Sequence, residues 1–408
     1  MIQKVLRLPT AVALVATLLV PLATPAATAA DSGPIKIAVI NDLSGVYASL
    51  SGQGGYEAAK MAVEDFGGKV LGRTIEVDSI DHRNNGPEAA AKAREAYDNG
   101  AELALDMTNS ATALAVEGVA GEKHKLAIVT GAGSSAVTGA NCNRYTYHYA
   151  YDTYALAHST GHNIAAQKDG KIWYGIVPNY AFGQAMLSDF TAAVKGEGGS
   201  FDHADMIPLG NTDFSSYLLA AKNAKPQVLG VLNAGADTVN TMKQVKQFGI
   251  DKVMKVAVGL LFLSDVDALP DVFAGSRITT SWYWNQDKAA RAWADRWTAR
   301  VGNGLRPTDI QAADYSATTQ WLNAVKAVGT VDADKVQGYL DGRHFNDFYA
   351  HDGYWRGRDH RVLHTMEVVD VIPKEDIKEP HGWFKIVEII PPDKAFRPEA
   401  ESICKKDW

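Results

Sequence analysis

Short apolar, β-branched runs alternate with helix-periodic stretches along nearly the whole chain, and nothing else in the sequence constrains the fold as tightly. After Pro34, residues 35–40 have the length and make-up of a strand buried on both faces. A Gly/Ser-rich loop over 41–55 leads into 56–66, where Ala58, Ala59, Ala62, Val63 and Phe66 share one helical face that ends at Gly67-Gly68. The same pattern predicts strands at 74–81, 103–107 and 126–130, with helices 87–98 and 110–123 between them. A second series opens near residue 150. It predicts helices at 154–167, 183–195, 213–224 and 237–248, and strands at 171–177, 201–208, 227–233 and 254–259. Strands separated by single helices are βαβ units, which build parallel sheets covered on both faces. Two series therefore predict an α/β chain of two doubly wound, Rossmann-like lobes.

An internal echo agrees with that duplication. Gly52-Gln53, Ala62-Val63 and Gly67-Gly68 recur at one constant offset as Gly183-Gln184, Ala193-Val194 and Gly198-Gly199. The final third predicts helices at 288–301, 310–328 and 333–340, then strands at 353–372 and 383–390. So few strands cannot make a third domain, so these segments are expected to return and complete the lobes. The expected division is 31–150 with 281–348, and 151–280 with 349–400, leaving a tail at 401–408. The chain then crosses between lobes three times.

The first thirty residues stand apart. Lys4 and Arg7 precede an apolar run at 11–20, then Pro21 and the small residues Ala26-Ala27-Thr28-Ala29-Ala30. That order predicts a secretory signal peptide, 1–30, cleaved after Ala29 or Ala30. Its apolar core is about half the ~20 residues that span a bilayer, and no later run approaches that length. Export permits a disulfide between the only two cysteines, Cys142 and Cys404. Bridged, they would staple a tail that otherwise frays; unbridged, one thiol would be buried and one loose. The bridge is the expectation. With 40 Lys+Arg against 47 Asp+Glu the formal charge is −7, which excludes nucleic acid as a partner.

Catalytic and metal patterns are missing. No His-Glu-x-x-His pair occurs, and two lone cysteines make no zinc motif. His344, His351, His360 and His364 lie among turn residues rather than on one helical face. Gly52-Gln53-Gly54-Gly55 follows a strand and opens a helix, yet lacks the Gly-x-Gly-x-x-Gly spacing of a dinucleotide site. No nucleophile or acid/base pair assembles, so a non-enzyme without cofactor or metal is expected. The informative residues follow strands: Thr108-Asn109-Ser110 before a helix, and Gly131-Ala132-Gly133-Ser134-Ser135 after the next strand. Open α/β sheets bind ligands beyond those strand ends, and Ser110 at a helix start brings a hydroxyl beside backbone amides suited to an anion. Asn109 or Ser110 also caps its helix, a role compatible with binding.

At these residues the chain resembles the periplasmic solute-binding proteins of ABC transporters, in the leucine/isoleucine/valine-binding branch. The resemblance runs through residues 35–45 and 70–77, then Ser110-Ala111-Thr112-Ala113, Tyr180-Ala181-Phe182-Gly183-Gln184, Thr212-Asp213-Phe214-Ser215 and Gln247-Phe248-Gly249, in family order. It implies the type I periplasmic binding protein fold, whose two lobes close on a ligand about a three-segment hinge. It implies a periplasmic monomer that binds a small molecule and docks on an inner-membrane permease. Carried over, Ser110 and the backbone of Ala132, Gly133 and Ser134 would hold a ligand carboxylate. Phe182 would be an aromatic lid, Asn233 and Ala234 would line the other lobe, and Tyr47 and Tyr151 would be walls.

One departure narrows the ligand. Amino-acid binders of the family carry an acid after the strand that here ends in Gly259-Leu260-Leu261-Phe262, where there is none. An ammonium buried without a counter-charge costs several kcal/mol. With Leu261 as far wall and Trp284, of Trp282-Tyr283-Trp284, as aromatic area or core, the implied ligand is an aromatic or hydrophobic carboxylate. The alternatives are a branched-chain amino acid or amide paired by Asp152 or Asp237, and a sensor that reports to a membrane kinase.

Overall fold

The computed structural model describes residues 1–6, 8 and 33–405. The expected signal peptide falls largely outside the described residues. Among them, no helix is long and apolar enough to cross a membrane. The unit from Met1 to Gly33 has no regular element among its described residues, and all that follows concerns the unit from Pro34 onward.

Its first sheet is built from β1 (Ile35–Asn41), α1 (Gly52–Asp65), β2 (Lys69–Val70), β3 (Arg73–Asp81), α2 (Gly86–Asp98), β4 (Ala101–Asp106), α3 (Ser110–Lys123), β5 (Leu126–Val129) and β6 (Thr146–His148). The order is β2-β3-β1-β4-β5-β6, parallel except for the short β2. Every residue of β4 and β5 is buried; β5 is apolar throughout, while β4 also carries Glu102 and Asp106. Next come α4 (Thr153–Leu156), α5 (His162–Ala165), β7 (Ile172–Pro178), α6 (Ala181–Gly196), β8 (Ser200–Ile207), α7 (Ser215–Ala224), β9 (Val228–Val231), α8 (Ala236–Gln247) and β10 (Lys255–Val258). This second parallel sheet has the order β10-β9-β7-β8. The series β3-β1-β4-β5 and β8-β7-β9-β10 have one topology, and the repeated Ala-Val and Gly-Gly pairs fall at the ends of the equivalent helices α1 and α6.

The remainder comprises α9 (Leu263–Ala268), α10 (Pro270–Phe273), β11 (Arg277–Thr280), α11 (Lys288–Val301), α12 (Asp309–Val328), α13 (Ala333–Leu340), β12 (His344–Phe345), β13 (Gly353–Trp355), β14 (Val362–Leu363), β15 (Met366–Val371) and β16 (Phe384–Ile390). Helices α11 and α12 pack on α1: Trp297 Nε1 donates to the Gly54 carbonyl (3.1 Å) and Gln311 Nε2 to the Ser51 carbonyl (3.0 Å). A Cβ at Gly54 would lie 2.6 Å from the Trp297 ring. The glycines opening α1 thus serve close helix packing. Strands β15 and β16 join β11 in a small antiparallel sheet.

Two expected elements are broken. The helix expected at 154–167 is α4, a π-helical turn at Ala157–Gly161, and α5. The Ser159 hydroxyl donates back to the Ala155 carbonyl (2.8 Å) and also meets Thr279 Oγ1 (2.5 Å), opening the ladder. The strand expected at 353–372 is β13, β14 and β15. A buried Arg356–Asp359 pair (2.8 Å) closes the turn between the first two, with His360 at φ 58°.

Cys142 and Cys404 are bonded, with Cα atoms 5.7 Å apart. A crosslink over so long a loop acts chiefly on the unfolded chain, and removing one typically costs about 2–4 kcal/mol. The double substitution Cys142→Ser with Cys404→Ser is expected to lower the melting temperature and raise the urea m-value. An unchanged melting temperature in calorimetry would show that the tail adds nothing to stability.

Candidate functional site

The carboxyl ends of the two parallel sheets face one another across a small cavity. From the first sheet come Tyr47 and Leu50 after β1, Thr108 and Ser110 after β4, and Gly131, Ala132 and Gly133 after β5. Opposite stand Tyr180 and Phe182 after β7, Ala234 after β9, and Leu260 and Phe262 after β10. Tyr151, between β6 and α4, closes one side. None of these residues is charged. The walls leave about 10 Å³, roughly the space of one water molecule. Admitting a ring-sized ligand therefore requires the walls to part. They are latched by a 2.6 Å hydrogen bond between the Tyr47 and Tyr180 hydroxyls and by the Ala236 amide donating to the Val46 carbonyl (3.2 Å). Burial raises the Tyr47, Tyr151 and Tyr180 phenols above their usual range, so all three remain neutral donors.

The loop after β5 is fixed through its carbonyls. Tyr151 Oη donates to Gly131 (3.0 Å), the ring of His148 to Ala132 (2.6 Å), and the Thr153 amide to Gly133 (2.8 Å). Burial, then the nearby Arg361 cation, holds His148 neutral, with Nε2 as donor. A Cβ at Gly133 would lie 2.8 Å from the Tyr151 ring and 3.1 Å from Phe182, so only glycine lets these aromatics close over the backbone. Ser110 Oγ accepts the Ser134 amide (3.1 Å), which orients the hydroxyl and leaves its hydrogen to donate.

Of the residues singled out from sequence, Ser110, Ala132, Gly133, Tyr47, Tyr151 and Phe182 come together at the cavity. Ser134 stands behind Ser110. Asn233 turns into α8, donating to Thr241 Oγ1 (2.9 Å) and accepting from Thr238 (3.1 Å), while its neighbour Ala234 faces inward. Leu261 points into the core between Leu260 and Phe262, because successive side chains of the extended segment alternate. Trp284 lies elsewhere: its Nε1 donates to the His381 carbonyl (3.1 Å), and Arg291 and Arg306 stack on its ring. Trp282 likewise donates to the Phe348 carbonyl (3.0 Å). Asp152 caps α4 and faces Arg361 (3.4 Å). Sequence reasoning missed Leu50, and it placed Thr108 and Tyr180 in informative stretches without giving either a role at the cavity; the signal for Tyr180 was an aromatic close after a strand, two residues before Phe182. It also missed Asp106 and Asp314, distant in sequence, which meet under the floor.

The sequence profile of the periplasmic binding proteins matches residues 34–376. The chain belongs to the periplasmic binding protein family. A periplasmic binding protein from Burkholderia mallei is 46% identical over 91% of this chain and 98% of its own, with TM-score 0.88. A branched-chain amino acid ABC transporter periplasmic ligand-binding protein from Burkholderia xenovorans is 34% identical over 91% and 99%, with TM-score 0.79. More distant in sequence, at 20% identity over 90% and 98% with TM-score 0.78, is a Rhodopseudomonas palustris ABC-transporter solute-binding protein in complex with p-hydroxybenzoic acid. Among curated proteins none matches. The architecture is thus the type I periplasmic binding protein fold, two lobes with the cavity between them.

In this member of the family, buried acids surround Thr280 and Ser281 at the end of β11. Asp309 accepts from Ser281 Oγ (2.7 Å), Asp265 accepts from the Phe262 amide (3.0 Å), and Glu367 lies on β15 beside Thr280. Burial pushes their carboxyls up to about 6, about 7 and about 8 respectively, the last also raised by Asp309 and Asp287. A raised carboxyl stabilises the fold fully below its unfolded value near 4 and loses that contribution as pH rises through the folded value. Buried His82 and His364, lowered to about 4 by desolvation, act oppositely, but only below about 6.5. Thermal stability is therefore expected to fall between pH 6.5 and 8, and Glu367→Gln to flatten that fall. An equal slope in the variant would remove Glu367 from the account.

Proposed function

We propose that this chain is the non-catalytic receptor of an ABC transporter, taking a small aromatic carboxylate between its lobes for delivery to an inner-membrane permease. One observation carries the reading: the cavity is lined by Ser110, Ala132 and Gly133 against a wall of tyrosine, phenylalanine and leucine, with no charged group among its lining residues. The hydroxyl and amides suit a carboxylate at a strand-end crevice. The aromatic wall suits a ring, and an ammonium would find no counter-charge there. The p-hydroxybenzoic acid bound by the Rhodopseudomonas palustris protein is a ligand of that chemistry. Closure of the lobes would exclude water and complete the site. We take the lobes as 31–150 with 281–348, and 151–280 with 349–400. The pairing of β12 with β13 and the Arg361–His148 bridge favour moving the third crossing to about residue 365. Export to the periplasm, a monomeric state and the absence of catalysis belong to the same proposal.

A second reading, a branched-chain amino acid, draws on the Burkholderia xenovorans relative and on Asp237. That buried carboxyl accepts the Gly210 amide (3.1 Å), its Oδ1 has no partner, and it lies near Tyr47 and Tyr180. Calorimetric titration of residues 31–408 with 4-hydroxybenzoate, benzoate, leucine and valine decides between them. The aromatic acids are expected to bind and the amino acids not to. Ser110→Ala is expected to weaken binding about 10- to 100-fold, as a lost hydrogen bond to a charged group is worth about 1.5–3 kcal/mol. Binding of leucine alone would overturn the aromatic reading.

A further inference from the structure

Asp106, at the end of β4, and Asp314, on α12, meet beneath the cavity floor, both completely buried. Asp106 Oδ2 accepts the Asn41 side-chain amide (2.9 Å) and the Ser51 hydroxyl, while Asp314 Oδ2 lies 3.3 Å from that same Ser51 oxygen. On the outer sides, Thr108 Oγ1 donates to Asp106 Oδ1 (2.5 Å) and Thr130 Oγ1 to Asp314 Oδ1 (2.5 Å). The two carboxyls thus meet at one hydroxyl. A serine hydroxyl has one hydrogen to give, and Ser51 gives it to Asp106, so the repulsion between two adjoining buried carboxyls is relieved by a proton that they hold themselves. A Cβ at Gly55, in the first turn of α1, would collide with Ser51 Oγ and with Asp314, so glycine there lets the helix seal the pair.

Among the described residues, the groups facing the pair are neutral: Asn41 from β1, Ser51 before α1, Thr108 after β4 and Thr130 after β5. The Tyr151 phenol, kept neutral by burial, also lies within electrostatic reach of Asp106. Burial holds both carboxyls above the ordinary range, Asp314 well above it because Asp106 also lies beside it. The pair is one residue from the cavity: Thr108 and Gly131 line the cavity and touch Asp106, and a Cβ at Gly131 would lie 2.5 Å from Asp106 Oδ1.

We infer that the proton shared by Asp106 and Asp314 sets the charge under the cleft and couples capture of an anionic ligand to protonation. The inference rests on the carboxylate reading of the site. With the proton in place the floor carries one negative charge; without it, two, and a bound anion is repelled. The complex therefore keeps the proton to higher pH than the free protein. Affinity is constant while both forms hold it and falls, by at most tenfold per pH unit, where only the complex does.

The test is calorimetric titration of residues 31–408 with 4-hydroxybenzoate from pH 5.5 to 8.5, in paired buffers of different ionisation enthalpy. The expected result is weaker binding towards pH 8.5 with uptake of up to one proton per ligand. Asp314→Asn, which keeps the shape and leaves a single charge, is expected to bind with pH-independent affinity and no proton uptake. Should that variant not fold, the buffer comparison on the unaltered protein decides alone. Tight binding with no pH dependence and no buffer dependence overturns the coupling and leaves the ligand class intact. A wild-type slope in Asp314→Asn also overturns it. No binding at any pH overturns the carboxylate reading and the coupling with it.

Discussion

The carboxyl of Asp106 accepts hydrogens from Asn41, Ser51 and Thr108, and its main-chain carbonyl accepts from the amides of Thr130 (3.2 Å) and Gly131 (3.0 Å). One residue thus ties the ends of β1, β4 and β5 to the start of α1, and through Asp314 to α12. The backbone is strained to allow it: Asp106 has φ 85° and Met107 φ 54°, neither being glycine. Such positions cost about 1–3 kcal/mol each and persist only where surrounding bonds over-determine them. Here the turn swings Thr108 and Ser110 to the cavity beside Gly131, Ala132 and Gly133. The residues that face a ligand are therefore placed by a group that does not.

The opposite wall depends on how the lobes are joined. Arg361 is completely buried, and its guanidinium donates to the His148 carbonyl (3.1 Å) and to the Ala150 carbonyl, with Phe396 stacked on it at 4.2 Å. His364 Nε2 also reaches the Ala150 carbonyl (3.3 Å). These bonds hold residues 148–150 against 361–364, while the Tyr47–Tyr180 hydrogen bond spans the cavity.

Much of this was legible beforehand because buried parallel strands and their covering helices write strong local patterns. Residues 35–40, 103–107 and 126–130 are mostly apolar because helices cover both faces of the sheet, with Lys36, Asp106 and Thr130 the exceptions, and Gly67-Gly68 ends α1 where a positive φ is needed (98° and 70°). Ser110 and Gly131–Gly133 could be found because strand ends are where an open sheet offers a crevice. The failures are non-local. The helix at 154–167 is interrupted because Ser159 meets Thr279, and the strand at 353–372 is cut by the Arg356–Asp359 pair. The choice of Leu260 and Phe262 over Leu261 is one of phase, which a segment outside any ladder does not announce. Trp284 had the composition of a binding wall, yet two arginines and the His381 carbonyl claim its faces and edge.

By itself the sequence determined the βαβ alternation, the two lobes, the pairing available to Cys142 and Cys404, and the strand ends at which a ligand could sit. These follow from hydrophobic period, turn residues and secretion signals, all of which act over a few neighbouring residues. Tertiary structure alone decided which aromatics face the cavity and which of the buried acids meet. The reason is that burial and charge coupling depend on what lies within a few ångströms in space. Asp106 and Asp314 become neighbours only once α12 has returned to lie along α1.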